Sequence, residues 1–150
     1  MKQQKIEPQF IYEDGKTLCI IVDPDTEEHI KATAAVHPDD LDYESKLVGC
    51  TIAYNRAMAK LLKHKKYRTM AQYKSVKELH DVFSRYQKDV DKNILRIINN
   101  KMEALMAEYK MYQDMYVEYK QTNKEYIDTK EELHQKLRAH KKQKTLIIYP

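Results

Sequence analysis

The chain contains almost no residues that break or turn a helix. Its two glycines, Gly15 and Gly49, lie in the first third, and no proline occurs between Pro38 and Pro150. Sandwiches, barrels and doubly wound sheets need turn residues at every connection, so the last two thirds of the chain cannot adopt these folds. Glycine-rich phosphate-binding loops are excluded for the same reason.

Residues 9–37 are predicted to form three antiparallel strands. The first, Gln9–Tyr12, is followed by a turn centred on Asp14-Gly15, a dipeptide that tolerates the positive φ angles of a tight hairpin. The second, Thr17–Asp23, is rich in β-branched residues and is typical of a central strand. A further turn at 23–26 leads into Glu28–Val36, where apolar and polar residues alternate.

A three-stranded sheet of this size needs a helix on its apolar face. A helix is predicted from about residue 45 to Arg68, where a basic cluster suits a helix C-terminus. Gly49, Ala53 and Ala57 recur every four residues and form a small-residue ridge that allows close approach to the sheet. The predicted fold class is α+β: a three-stranded antiparallel meander packed on one helix, followed by a long helical coiled-coil stalk or αα-hairpin.

A capping box at Ser75–Glu78 predicts a further helical region, which continues to about His140. Apolar residues follow two heptad seams there, Val76, Leu79, Phe83, Tyr86 and Val90, then Met102, Leu105, Tyr109, Tyr112, Tyr116, Tyr119, Tyr126, Leu133 and Leu137. The seams are out of phase. Either the chain turns back at Asn99–Asn100, or one continuous helix contains a stutter. Both alternatives leave the seams in need of a partner surface, so a homo-oligomer is expected.

Three segments follow from these patterns. Residues 1–68 are predicted to form a head of meander plus helix, and residues 75–142 a long helical region. Residues 143–150 are predicted to form a β-like tail, with its apolar part at Thr145–Pro150, which is expected to add a strand to the edge of the sheet in its own or a neighbouring subunit.

Charge divides the chain unevenly. Residues 1–45 carry 4 basic and 11 acidic side chains, whereas residues 46–150 carry 23 basic and 12 acidic ones. A basic cluster on the first helix has tyrosines beside it, a combination that can hold phosphate or an acidic protein surface. Five cations at a helix end are also explained by an ordinary solvated face. The members of the cluster are Lys60, Lys63, Lys65, Lys66 and Arg68.

The sequence offers no set of residues typical of catalysis. The four acidic residues Asp39, Asp40, Asp42 and Glu44 are explained by a helix start, which favours carboxylates without any metal. The helix histidines His64, His80, His134 and His140 lack metal-ligand spacing and are expected to be exposed. We therefore expect neither an enzyme nor a cofactor or metal site.

The remaining signals concern the environment of the protein. Cys19 and Cys50 lie on apolar stripes and are predicted to be buried free thiols, which fits a reducing compartment. The N-terminus has no apolar signal region, and no stretch is long enough to span a membrane. We expect a soluble intracellular protein with no membrane partner.

Residues 29–62 combine a β-hairpin, a proline-aspartate lead-in and a helix of the form G-x-x-x-A-x-x-R-A. The residues that carry this pattern are Pro38, Asp39, Asp42, Gly49, Ala53, Arg56 and Ala57. The pattern resembles small accessory proteins of bacteriophages. The family often has phenylalanine where this chain has Leu41. The resemblance covers about a quarter of the chain and transfers no ligand-binding residue. It implies a host-takeover or anti-defence factor that acts by binding in the cytoplasm of an infected bacterium.

The function expected from the sequence is non-catalytic inhibition of a host or antiphage-defence protein through protein–protein contacts. The candidate partner-binding residues are the basic cluster and four tyrosines, Tyr109, Tyr112, Tyr116 and Tyr119. One alternative is a sponge for a cyclic nucleotide signal, whose phosphates would meet Arg56, Lys60 and Lys63. Another is a structural coiled-coil protein of the virion.

Overall fold

The computed structural model describes residues 6–35, 46–86 and 92–148, and side chains as far as His140. Three strands, β1 (Gln9–Glu13), β2 (Lys16–Val22) and β3 (His29–Ala35), precede two helices, α1 (Lys46–Arg85) and α2 (Lys92–Ile148). The α+β class is confirmed, and each strand lies within one residue of its predicted bounds. The predicted helix lead-in at residues 37–45 lies outside the described residues.

The sheet is an antiparallel meander with the order β1-β2-β3. Asp14 and Gly15, with φ angles of 49° and 76°, form the two-residue turn that closes the first hairpin. Positive φ at both central residues is the property of a type I′ turn, which the Asp-Gly dipeptide predicts. In the second turn, the Asp23 carbonyl accepts a hydrogen bond of 2.8 Å from the Glu27 N–H.

One face of the sheet is buried. Cross-strand partners share a face, and the register pairs Thr17 with Ala34, Cys19 with Ala32, and Ile21 with Ile30. All six side chains are at most 5% exposed. On α1, the ridge of Gly49, Ala53 and Ala57 is buried as well, which confirms the predicted packing of this helix on the sheet.

Gly49 sets how closely α1 approaches β2. A Cβ atom added at Gly49 would lie 2.5 Å from Thr17 Oγ1 and 3.4 Å from Thr17 Cβ. The first distance is well inside van der Waals contact, so any larger residue would push the helix away from the strand. Glycine in a helix costs about 1 kcal/mol relative to alanine, and this close approach explains why glycine stands here in spite of that cost.

The chain divides into two compact units. The first comprises Met1–Met58 with Glu118–Pro150, and the second comprises Ala59–Val117. The first unit therefore contains the sheet, the beginning of α1 and the second half of α2. Asn55 and Asn123 are both 8% exposed, and Asn55 Nδ2 donates to Asn123 Oδ1 at 3.3 Å. A buried amide pair of this kind fixes the register of two packed helices, because a shift would leave both amides unsatisfied.

The predicted helix boundaries are wrong. Arg68 and Ser75 both lie inside α1, so the basic cluster does not end a helix and the capping box does not start one. Asn99 and Asn100 lie inside α2, so neither a turn at this dipeptide nor a single helix continuing from residue 75 is correct. The predicted β-like tail is helical through Ile148. Serine and asparagine are tolerated within helices when their neighbours pack. The free energy of that packing exceeds the modest free energy of a local cap.

In the second unit, α1 and α2 form an antiparallel hairpin. Lys66 lies 19 residues before the end of α1, Gln113 lies 21 residues after the start of α2, and their side chains are hydrogen-bonded. Two straight segments of nearly equal length that meet at both ends must run in opposite directions. The αα-hairpin alternative is therefore correct, but the residues predicted to form its turn, Asn99 and Asn100, lie within α2.

The seams that the helices present to each other are partly as predicted. On α2, Leu105 is 2% exposed, as expected for a seam position, and Asn123, one heptad after Tyr116, is 8% exposed. On α1, however, the less exposed residues repeat as Thr69, Tyr73, Val76, His80 and Phe83. Leu79 and Tyr86, which were assigned to the seam, are 47% and 62% exposed. The partner that these seams need is supplied within the chain.

We expect Gly49→Ala to destabilise the protein by about 1–3 kcal/mol, because the new methyl group overlaps the Thr17 hydroxyl. In a Thr17→Ala background the overlapping oxygen is gone, and the same substitution should be neutral or stabilising by up to about 1 kcal/mol through helix propensity. Urea denaturation of the two single variants and the double variant measures both effects. Equal effects of Gly49→Ala in the two backgrounds would show that the helix does not rest on Thr17.

We also expect stability to fall at alkaline pH through Cys19. Burial, with a smaller contribution from Cys50, raises the pKa of the Cys19 thiol from its ordinary value of 9.0 to about 11. The folded state therefore holds this proton more tightly, and its contribution to stability is present below pH 9 and is lost between pH 9 and about 11. Urea midpoints over this range should decline less steeply in Cys19→Ala than in the wild type. Parallel declines would contradict the effect.

Candidate functional site

The basic cluster does not form one exposed face. Lys60 and Lys63 are exposed, whereas Lys65, Lys66 and Arg68 are half-buried. All five belong to the second unit, where α2 packs alongside α1. The cluster therefore divides between the solvent side of α1 and the side that approaches α2.

Two of these lysines lie over tyrosine rings of α2. Lys65 Nζ is 5.5 Å from the centre of the Tyr112 ring, and Lys66 Nζ is 5.2 Å from that of Tyr116. Lys66 also lies 5.7 Å from the centre of the Tyr67 ring and donates a hydrogen bond of 2.7 Å to Gln113 Oε1. Each cation–π contact contributes about 0.5–2 kcal/mol, more when water is excluded.

The two predicted partner-binding sets thus contact each other. The sequence suggested that these cations must be exposed or matched by anions, because unpaired buried charge is costly. The structure provides a third solution for Lys65 and Lys66, in which aromatic faces and an amide oxygen receive the ammonium groups. The basic and tyrosine residues at this level stabilise the hairpin itself, and their availability to an outside partner is reduced.

The remaining tyrosines have separate roles. Tyr109 is half-buried on the α2 seam of the second unit, and the Tyr112 hydroxyl donates to Glu108 Oε1 at 3.1 Å. Tyr119 belongs to the first unit, where it is hydrogen-bonded to Tyr54. Burial raises the pKa of Tyr54, and the neighbouring Tyr119 raises it further. All four tyrosines are half-buried, and Tyr112, Tyr116 and Tyr119 contact other groups of this chain.

Arg56 has a structural partner. Its Nη1 atom donates a hydrogen bond of 2.8 Å to the Thr33 carbonyl of β3, which ties α1 to the edge of the sheet. The alternative nucleotide set also contains Lys60 and Lys63, which belong to the other unit. All three are exposed on α1 at spacings of four and three residues, and the contact shown for Arg56 is the one to the Thr33 carbonyl.

The histidines differ from expectation at one position. His64 and His140 are exposed and His80 is half-buried, but His134 is only 9% exposed. The prediction that all four helix histidines are exposed is wrong for His134. Leu133 next to it is 54% exposed, so the α2 seam moves by one residue at this level of the first unit.

The sequence analysis missed an exposed apolar surface on the hairpin. Leu79 and Val82 on α1, Tyr86 directly after it, and Ile94 and Ile97 on α2 are between 43% and 63% exposed. We call these five residues the apolar flank. Four of them immediately precede a less exposed position (His80, Phe83, Leu95 and Ile98), and Tyr86 follows Leu79 by one heptad.

Helical geometry places the four residues within α1 and α2 on the same side of the hairpin. A residue that precedes a seam position is rotated by 100° from it, in the same sense on both helices. Because the helices are antiparallel and face each other, equal rotations in that sense lead to the same side of the pair. Exposed apolar residues scattered singly are ordinary, but a contiguous patch marks an interaction surface.

The opposite side of the hairpin is polar at the same level. The residues that immediately follow the same four less exposed positions are Asp81, Arg96 and Asn99, which are exposed, and Ser84, which is half-buried. The difference between the apolar and the polar side is present in the sequence. The heptad pattern did not predict it, because that pattern places Leu79 and Tyr86 in the buried seam. The exposed residues of this end therefore segregate by polarity, as expected when one side is reserved for contact.

We expect Lys66→Met to destabilise the protein by about 1–2 kcal/mol, since it removes two cation–π contacts and the hydrogen bond to Gln113 while keeping a long apolar side chain. Lys63→Met is the matched control: it makes the same change at an exposed position of the same helix and should change stability by about 0.5 kcal/mol or less. Urea unfolding measures both. Equal losses would show that Lys66 is no better anchored than a surface lysine.

The described residues contain no group of three or more histidine, cysteine or acidic side chains that could hold a metal ion; the acidic residues 39–44 lie outside this set. Within the same residues, neither helix has a segment sufficiently long and apolar to cross a membrane. No protein-family model matches the chain, and neither a curated protein nor a solved structure matches it significantly.

Proposed function

We propose that the protein is a non-catalytic binding protein that inhibits a host or antiphage-defence protein through protein–protein contacts. The observation that carries this proposal is the apolar flank, five large side chains between 43% and 63% exposed, four of them on one side of the hairpin. The resemblance of residues 29–62 to phage accessory proteins supports an infected bacterial cytoplasm as the setting.

The chemistry of the flank favours a protein partner. Its side chains are aliphatic apart from Tyr86, and they offer neither a nucleophile nor an acid–base pair. Burying aliphatic and aromatic surface yields about 25 cal/mol per Å², which is the usual driving force of protein association. Tyr86 suits an interface as well, because its ring packs while its hydroxyl remains available to a polar group. The expected partner presents an apolar groove or helix of matching length.

A pair of substitutions on either side of buried Ile98 tests this proposal. Ile97→Asp places a carboxylate on the apolar flank, whereas Asn99→Asp places the same group on the polar side of the same helical turn. Helix propensities of isoleucine, asparagine and aspartate are similar, so both variants should fold equally, as circular dichroism can verify.

We expect wild type and Asn99→Asp to retain the same protein from a bacterial lysate and to inhibit it when it is purified. Ile97→Asp should weaken binding to that purified protein at least tenfold, because a carboxylate would be desolvated in the interface. Equal binding by the two variants would refute the role of the flank. A dimeric wild type together with a monomeric Ile97→Asp variant would also refute this role, since a second copy of the chain would then cover the flank.

A further inference from the structure

The two outer strands of the sheet differ in how their edges are covered. Arg56 donates to the Thr33 carbonyl of β3, whereas no described residue pairs with the outer edge of β1. Phe10 and Ile11 in the middle of β1 are 40% and 52% exposed. An edge strand with exposed apolar residues is a ready template for pairing with another strand.

The turn determines which backbone groups of β1 point outward. Glu13 and Lys16 flank the two-residue turn and form a hydrogen-bonded pair. Hydrogen-bonded and non-hydrogen-bonded pairs alternate along antiparallel strands, so Ile11 also bonds to β2, while Phe10 and Tyr12 direct their N–H and C=O groups away from it. The same alternation across Leu18 directs the Thr33 carbonyl outward, where Arg56 binds it.

The sequence of β1, QFIYE, is complementary to itself in the antiparallel sense. With a two-fold axis at Ile11, Phe10 of one copy lies opposite Tyr12 of the other, and Gln9 lies opposite Glu13. The outward N–H and C=O groups of Phe10 and Tyr12 then bond to each other, the two aromatic rings form a cross-strand pair, and the Gln9 amide can donate to the Glu13 carboxylate.

The strand also has the right length for this arrangement. Pro8 immediately precedes β1 and lacks an N–H group, and the Asp14-Gly15 turn follows it directly. The segment able to pair is therefore residues 9–13, and its centre is Ile11. An isologous contact requires a patch that matches itself about a two-fold axis, and β1 meets this requirement in register, hydrogen bonding and side chains.

We propose that β1 pairs with β1 of a second copy of this chain, joining two three-stranded sheets into one continuous six-stranded sheet. The occupant of the edge is the same strand of another copy, and the contact lies on the sheet of the first unit. It uses no residue of the apolar flank, so it is independent of the proposed function.

A proline substitution tests the hydrogen bonds. Phe10→Pro removes an N–H group that β2 does not use, so the hairpin should survive, as edge strands tolerate proline at such positions. Phe10→Val keeps the N–H and a strand-forming side chain and is the matched control. In light scattering across a dilution series, wild type and Phe10→Val should dimerise, whereas Phe10→Pro should raise the dimer dissociation constant about tenfold or more.

A cysteine pair tests the register without depending on that variant. In the proposed arrangement, the Cα atoms of Ile11 in the two copies lie about 4.5 Å apart, within the range of a disulfide. Glu13 is on the same face of β1, but its Cα lies about 14 Å from that of Glu13 in the other copy, four residues away along the strands. Under mild oxidation, Ile11→Cys should form a covalent dimer, and Glu13→Cys should remain at the wild-type background set by Cys19 and Cys50.

Two results would overturn the proposal. One is a folded wild type that stays monomeric at high micromolar concentration with Ile11→Cys uncrosslinked, as expected if the edge receives an extended peptide of another protein. The other is equal crosslinking of Ile11→Cys and Glu13→Cys, which would indicate random collision. Ile97→Asp should dimerise like the wild type, so a failure of the proposed function leaves this result unaffected.

Discussion

The first unit depends on the close approach of α1 to β2 at Gly49. A three-stranded sheet buries too little on its own, and here six side chains of one face become almost inaccessible only because a helix lies against them. The missing Cβ of Gly49 allows this approach to Thr17, and the alanines one and two turns later are fully buried. From this contact follow the hydrogen bond of Arg56 to β3 and the buried position of Cys19, whose raised thiol pKa reports the exclusion of water.

The sequence predicts the sheet far better than the helices because the two kinds of signal differ in strength. Asp14-Gly15 adopts positive φ angles that few other residues tolerate, so it fixes a turn at a single position. Ser75 and Asn99 favour helix ends by modest free energies, which tertiary packing exceeds. α1 ends at Arg85 and α2 begins at Lys92, and the sequence has neither glycine nor proline near either residue to mark these ends. The first unit also joins residues 1–58 to 118–150, a long-range association that no local pattern contains.

The tyrosines of α2 illustrate why the candidate site could be predicted only in part. Tyrosine at seam positions suggested an adaptable interface, because a buried hydroxyl needs a partner. In the hairpin, those partners come from the chain itself: Lys65 and Lys66 lie over the rings of Tyr112 and Tyr116, and Glu108 accepts from the Tyr112 hydroxyl. The sequence identifies tyrosines whose hydroxyls need a hydrogen-bond partner. It does not show whether a second helix of the same chain or a second protein supplies that partner. That distinction depends on which residues of α1 face α2. At this level the less exposed residue is His80, whereas the heptad pattern predicts Leu79.

The apolar flank remains the feature that the fold does not use. Isoleucine, valine and tyrosine are weaker helix formers than lysine, glutamate or alanine, so at exposed helical positions they lower the stability of the helix that carries them. Polar residues occupy the equivalent positions on the other side of the same hairpin, which shows that the helices accept them at this level. Exposed helical positions are thus polar on one side of the hairpin and apolar on the other. No contact among the described residues of the hairpin offsets the cost of the apolar ones. Such departures from local helix preference are concentrated at functional sites, and the compensation here would come from the surface that the flank contacts.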